Sequence, residues 1–284
     1  MSDLKIRKIA FSFEGAPFIW NPENPSFSLG MNILSFFAVG FEKYICDAMR
    51  DVEPRIADPA VLKEARAFRQ QESIHSLAHR KHVKALIAQY PRLQQALDKT
   101  IASYDAHFSA KPLDYHLAYI GGLESVFTPT YKMILDHRQL LFAGGDARVA
   151  SLLLWHFCEE IEHRSSGVAV YNAVVGKYFY RVGNFRNFMA HVKEVTDMLR
   201  AEFIKHVPGV TEELFKGSPN SALPRMAKLK AAMGMLAAQM PWHNSDHQAL
   251  PAYYHEWTDR FDRGEDMRQV YGVRWEEAEL AATE

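Results

Sequence analysis

Four stretches of this chain place carboxylates and imidazoles at spacings that suit metal ligation. Glu42 stands alone in the apolar run FFAVGFEKYI, and Glu124 stands alone in GGLESVFTPTY. Glu72 and His75 form a Glu-x-x-His pair in QESIH, and Glu160 and His163 form a second in WHFCEEIEHR. The order along the chain is therefore Glu, Glu-x-x-His, Glu, Glu-x-x-His. Residues at i and i+3 sit about 60° apart on a helix, so both side chains of a pair reach one ion. Two such pairs facing each other across a bundle hold two ions, and the lone glutamates complete or bridge the coordination. Four carboxylates balance two divalent cations, whereas four unpaired buried carboxylates would be prohibitive. Mixed carboxylate and imidazole donors without thiolate suit iron, with manganese as the alternative, rather than structural zinc.

His156 lies one turn before Glu160. At 100° per residue His156, Glu160 and His163 fall within about 60° of arc, so His156 is a seventh candidate ligand. Its alternative role is to pack or hydrogen-bond beside the site. His79, one turn after His75 on the same face, is either the extra ligand itself or a residue that orients one, the latter being the preferred reading. Glu159 competes with Glu160, being i, i+4 from His163, but the Glu160 spacing copies that of Glu72 and His75. Glu159 or Glu162 then orients a histidine, and Glu162, turned away from the stripe, reads as a surface charge. Cys46 and Cys158 read as small buried hydrophobes. Pro129, five residues past Glu124, is expected to kink its helix. Phe36, Phe37, Phe41, Tyr44, Tyr119, Phe127, Tyr131 and Trp155 make the surroundings aromatic, with Tyr44 and Tyr131 as candidate redox tyrosines. His243, Asp246, His247 and His255 read as a loop cluster.

These residues need long helices. The pattern predicts helices over about 29–51, 58–90, 92–108, 112–142, 146–178, 184–206 and 221–239. Breaks are expected at Pro54, Pro91, Gly144-Gly145 and Gly183-Asn184. Asp58-Pro59 and Asp146 are the clearest start signals. The first 28 residues read as an extended arm, and the stretch from Pro241 as a loop with one or two short helices. No strand pattern of convincing length and no Gly/Ser linker occurs. The expectation is one all-α domain over 1–284, with a metal-binding four-helix core at about 29–178 and additional C-terminal helices over about 184–284.

The alternation of lone Glu and Glu-x-x-His over four helices resembles the ferritin-like di-iron carboxylate proteins, which implies a ferritin-like four-helix bundle core. QESIH, GGLE and WHFCEEIEHR are also similar to a bacterial family labelled predicted metal-dependent hydrolases, over roughly residues 8 to 210. His156-x-x-x-Glu160-x-x-His163 resembles the third-histidine site of p-aminobenzoate N-oxygenase and its relatives. Those resemblances imply two metal ions and a dinuclear enzyme that activates dioxygen to oxidise a small organic substrate. The alternative they imply is a hydrolase using metal-activated water.

Composition narrows the field further. Thirty-three basic and 34 acidic residues give a net charge of -1, without the basic surface that nucleic acid demands. Two cysteines in 284 residues cannot build a disulfide framework and point to a reducing compartment. No signal peptide and no run of about 18 uncharged apolar residues is present, so a cytoplasmic protein without a membrane partner is expected. The expected partners are a small-molecule substrate and dioxygen, with room for an electron donor and for a homodimer. There is no H-E-x-x-H, G-x-S-x-G, P-loop or G-x-G-x-x-G, so zinc protease, serine hydrolase and nucleotide-dependent chemistry lose support.

Overall fold

The computed structural model describes residues 4–217 and 222–270, and all regular structure among them is helical. Helix α1 (Pro25–Val52) starts four residues earlier than the pattern suggests. The cause is Asn24, whose side chain accepts from Phe27 N, with Pro25 at the first helical position. Asp58 caps α2 (Pro59–Gln89), accepting from Ala60 N and Val61 N. Helix α3 (Gln94–Ala110) connects to α4 (Leu113–Asp136), which continues past Pro129 in its interior. A further turn, α5 (Arg138–Phe142), follows after a break at His137. The single helix expected over 112–142 is therefore two.

Asp146 caps α6 (Ala147–Glu162) through Arg148 N and Val149 N. Before it, Gly145 leaves no room for a side chain, because an added Cβ would lie 2.7 Å from the ring of Trp20. That close approach lets the N-terminal arm dock, with Asp146 N donating to Trp20 O at 2.7 Å.

The helix expected over 146–178 is also interrupted. It ends at Glu162, and α7 (Ser166–Val174) resumes after His163, whose backbone has left the helical region. Two tertiary features fix the break. The Arg164 guanidinium donates to Ile161 O at 2.7 Å and to Ser245 O at 2.8 Å, satisfying a carbonyl at the end of α6. Gly121 of α4 packs against Gly167 of α7 so closely that a Cβ on Gly121 would stand 3.2 Å from Gly167 O.

Conversely, the break expected at Gly183-Asn184 is absent. Helix α8 (Tyr178–His206) runs through it, the open space around Gly183 asks for no turn, and Asn184 Nδ2 donates to Tyr180 O. Helix α9 (Glu212–Lys216) and α10 (Arg225–Ala237) follow; Ser221, the expected start of the latter, lies outside the described residues. Helix α11 (Ala252–Asp262) supplies a short C-terminal helix.

Helices α1, α2, α4 and α6 surround one shared interior, with α7 against α4 and α2 and with α8 and α10 against α4. The stretch Pro25–Arg55 is, among the described residues, long and apolar enough to cross a membrane. Two-thirds of its most apolar window (67%) is buried inside the protein, so that hydrophobicity faces the core.

Candidate metal centre

All seven sequence-selected residues converge on that interior, and each is at most 5% exposed. Glu42 comes from α1, Glu72 and His75 from α2, Glu124 from α4, and His156 and Glu160 from α6, with His163 just past its end. The ligand atoms gather in two groups. Glu72, His75, Glu160 and His163 each offer an atom within 4.8 Å of the others, and so do Glu42, His79 and His156. Glu160 joins the two. Its Oε1 lies 2.9 Å from His156 Nε2, 3.4 Å from His163 Nε2 and 3.5 Å from His75 Nδ1. Glu42 Oε1 is 3.3 Å from His156 Nε2, and Glu124 Oε2 is 3.7 Å from His163 Nδ1.

The donor set fits metal ions. Both carboxylate oxygens of Glu72, Oε2 of Glu42, Nδ1 of His75 and both ring nitrogens of His163 are buried without a hydrogen-bond partner, a concentration of orphaned atoms that a folded interior avoids. All of them belong to the candidate ligands, and two cations would satisfy them together.

The charge distribution agrees. Burial, reinforced by the neighbouring glutamates, pushes the Glu72 and Glu124 carboxyls well above the ordinary range. Burial also dominates for Glu42, which rises well above it too. Burial pushes Glu160 upward as well, but the imidazoles of His163 and His156 more than reverse this and hold it well below. For His75, burial is outweighed by Glu159 and Glu160, and its pKa rises to about 10.

Around the ligands lies a network that the sequence reading only partly anticipates. His75 Nε2 sits 2.8 Å from Glu159 Oε2, so Glu159 faces the outer nitrogen of the ring. Arg7, from the arm, reaches Glu159 Oε1 at 3.1 Å and pairs with both oxygens of Glu162 at 2.9 Å. Gln71 and Tyr254 also donate to Glu162. Glu162 is thus a buried anchor, not the surface charge its helical angle suggests, because the arm and α11 cover that side of α6. Arg7 also packs against the rings of Trp257 and Phe261.

On the other flank, His156 Nδ1 lies 2.9 Å from His79 Nε2, His79 Nδ1 lies 3.0 Å from Ser35 Oγ, and Ser35 Oγ lies 2.9 Å from His82 Nδ1. Both ring nitrogens of His79 are therefore engaged, in keeping with an orienting role, although it stands within ligand distance of Glu42. If His156 binds through Nε2, the chain has one consistent direction: His156 donates to His79, His79 donates to Ser35, and Ser35 donates to His82. Ser35 and His82 were not singled out from the sequence. The spacing His75, His79, His82 on one face of α2 was the available signal.

A cavity of about 10 Å³ touches the centre, lined by Phe37, Phe41, Phe127, Tyr131 and the candidate ligands Glu42, Glu72, Glu124, His156 and Glu160. It has room for about one water-sized molecule. Tyr131 lines it and stays a phenol, because burial and the surrounding glutamates raise its pKa. Tyr44 instead bonds His116 Nδ1 at 2.8 Å. Cys46 and Cys158 belong to neither cluster, and burial raises both thiols, that of Cys46 to about 12. His243 sits in a loop near Ser245 and Gln248, away from any carboxylate group of this kind.

The model of a family described as predicted metal-dependent hydrolase matches residues 5–216, which carry every residue of the two ligand groups and Arg7. No curated protein and no solved structure matches the chain.

Proposed function

From the chain's membership of the predicted metal-dependent hydrolase family, we propose that this protein is a hydrolase whose centre holds two divalent metal ions between α1, α2, α4 and α6. The observation that carries the proposal is the set of orphaned carboxylate and imidazole atoms, all pointed into one volume. Glu72, His75, Glu160 and His163 would hold one ion, Glu42 and His156 the other, with Glu160 between them and Glu124 completing the set. Bound there, two cations supply Lewis acidity and a water acidic enough to act as nucleophile near neutral pH.

The protein's own groups set the conditions for that chemistry. Glu159 and His79 fix the rings of His75 and His156, so the ligating nitrogens are already aimed. Phe37, Phe41 and Phe127 exclude bulk water, and the Tyr131 phenol is available as a donor to an oxygen in the cavity.

A second reading rests on the size of that cavity. About 10 Å³ suits a diatomic molecule better than an ester or phosphoester, and the aromatic lining and the added imidazole of His156 suit iron-dependent oxygenation of a small organic substrate. The deciding experiment is turnover by iron- or manganese-loaded protein on ester, amide and phosphoester panels in the absence of oxygen. Hydrolysis that is lost in Glu160→Gln supports the first reading. Inert panels, together with oxygen uptake by the ferrous protein, support the second.

A further inference from the structure

Helix α10 lies beyond the residues matched by the family and packs on α4 through its inner face. There Ala231 is buried and Gly234 meets Pro129 so closely that a Cβ would stand 3.0 Å away. Its outer face is apolar and open. Met226, Leu229, Met233 and Leu236 are between 53% and 69% exposed. At 100° per residue they share an arc of about 80°, a stripe about 15 Å long. Two further exposed aromatic residues lie in the segments next to its C-terminal end. Trp242 is 79% exposed and Phe179 85%, and the two segments are tied by Tyr178 OH donating to Gln239 O. Soluble proteins rarely leave a contiguous apolar patch of this kind uncovered.

Charge indicates what covers it. Residues 222–243 contain no Asp or Glu, while Arg225 and Lys230 flank the stripe and Lys177 stands exposed beside Phe179. The groove between α10 and α4, about 530 Å³, is edged by Lys230 and Lys132, and its one carboxylate, Asp136, is already paired with Lys132 at 3.1 Å. We propose that this face docks on an anionic lipid surface. The helix would lie in the plane of the interface with its four aliphatic side chains and Trp242 among the acyl chains, and with Lys177, Arg225 and Lys230 at the phosphates. A second copy of the chain is the less favoured occupant, because a two-fold interface through this patch sets a cation-only rim against itself. Such an attachment lies on the bilayer rather than through it.

The test is co-sedimentation of the full chain with phosphatidylcholine vesicles, with and without phosphatidylserine. The expected result is binding to the mixed vesicles that is stronger on the order of ten-fold or more than to phosphatidylcholine alone and weakens as salt is raised. It should be accompanied by a blue shift of tryptophan fluorescence that Trp242→Phe abolishes. Met233→Glu with Leu236→Glu, both at exposed positions, should abolish binding with far-ultraviolet dichroism and metal content unchanged. No binding to either vesicle, or equal binding to both, overturns the proposal. So does a wild-type dimer that the double variant converts to monomer.

Discussion

The outer ring nitrogen of His75 and a carboxylate oxygen of Glu159 stand 2.8 Å apart, deep inside the protein. That contact leaves Nδ1 of His75 directed at Glu160 and Glu72. It also assigns different work to two adjacent glutamates. Glu159→Gln should retain a capacity for two ions while lowering affinity roughly 10- to 100-fold, as removal of a ligand-orienting group does elsewhere. Glu160→Gln should lower the stoichiometry itself, because one oxygen faces three imidazoles. His156→Ala should weaken one ion only. Elemental analysis with competition titration distinguishes the three. Metal loss in Glu159→Gln with normal stoichiometry in Glu160→Gln would reverse the assignment.

Stability should depend on both metal and pH. The raised carboxyls of Glu42, Glu72 and Glu124 bind protons more tightly in the metal-free fold than in the unfolded chain. Their favourable contribution is therefore complete below the ordinary carboxylate range and is lost as pH climbs towards the raised values. Glu160, shifted the other way, loses its contribution only in acid. Ions present at about 100 times their dissociation constant add about 2.7 kcal/mol. In a chain of this size that amounts to about 5–10 °C. Melting curves of chelated and loaded protein should therefore diverge as pH rises from about 5 to about 8. A gap that stays constant or narrows would contradict this linkage.

Removing the arm's guanidinium should be costly. Arg7→Ala leaves Glu159 and Glu162 buried without their cation, and breaking such a pair costs about 3–5 kcal/mol. Urea unfolding of the loaded protein measures it. Combining the change with Glu162→Ala should cost less than the two single effects together, since the second change removes the stranded charge.

Gly121→Ala tests the contact that places two ligands. Gly121 lies one turn before Glu124, and its partner Gly167 lies one turn after His163. An added methyl would press on the backbone of Gly167 and Val168, which cannot rotate away. The expected destabilisation is about 1–3 kcal/mol, with a loss of metal content larger than that of Gly183→Ala, where nothing lies nearby. Equal effects at the two positions would show that this contact does not position the ligands.

The convergence of the seven carboxylate and imidazole side chains was legible because it depends on helical periodicity: an i, i+3 pair on one helix face needs no knowledge of the neighbouring chain. The caps at Asp58 and Asp146 were legible for the same reason. What escaped depends on distant residues. The end of α6 at Glu162 is enforced by Arg164 reaching Ser245 and by Gly121 meeting Gly167, neither of which is a local signal. Glu162 looked exposed by its angle on the helix because nothing in its own segment reveals that Arg7 will lie over it. Gly183 looked like a break because glycine usually costs a helix stability, yet the packing of α8 along its length outweighs one such residue.

The link between Arg7 and Glu162 joins positions 155 residues apart. During synthesis the arm's backbone can already meet α1 and α2, through Asn32, Gln71 and Gln89, but Arg7 has neither Glu159 nor Glu162 to pair with until α6 has left the ribosome. The sequence of events is then constrained: α1 and α2 can pair as soon as they appear, but the Arg7 anchor of the arm closes only once α6 is in place. An early-emerging segment that must wait this long is where a chaperone or a competing contact can intervene, and where a fusion placed ahead of the arm would slow maturation of the centre without touching a single ligand.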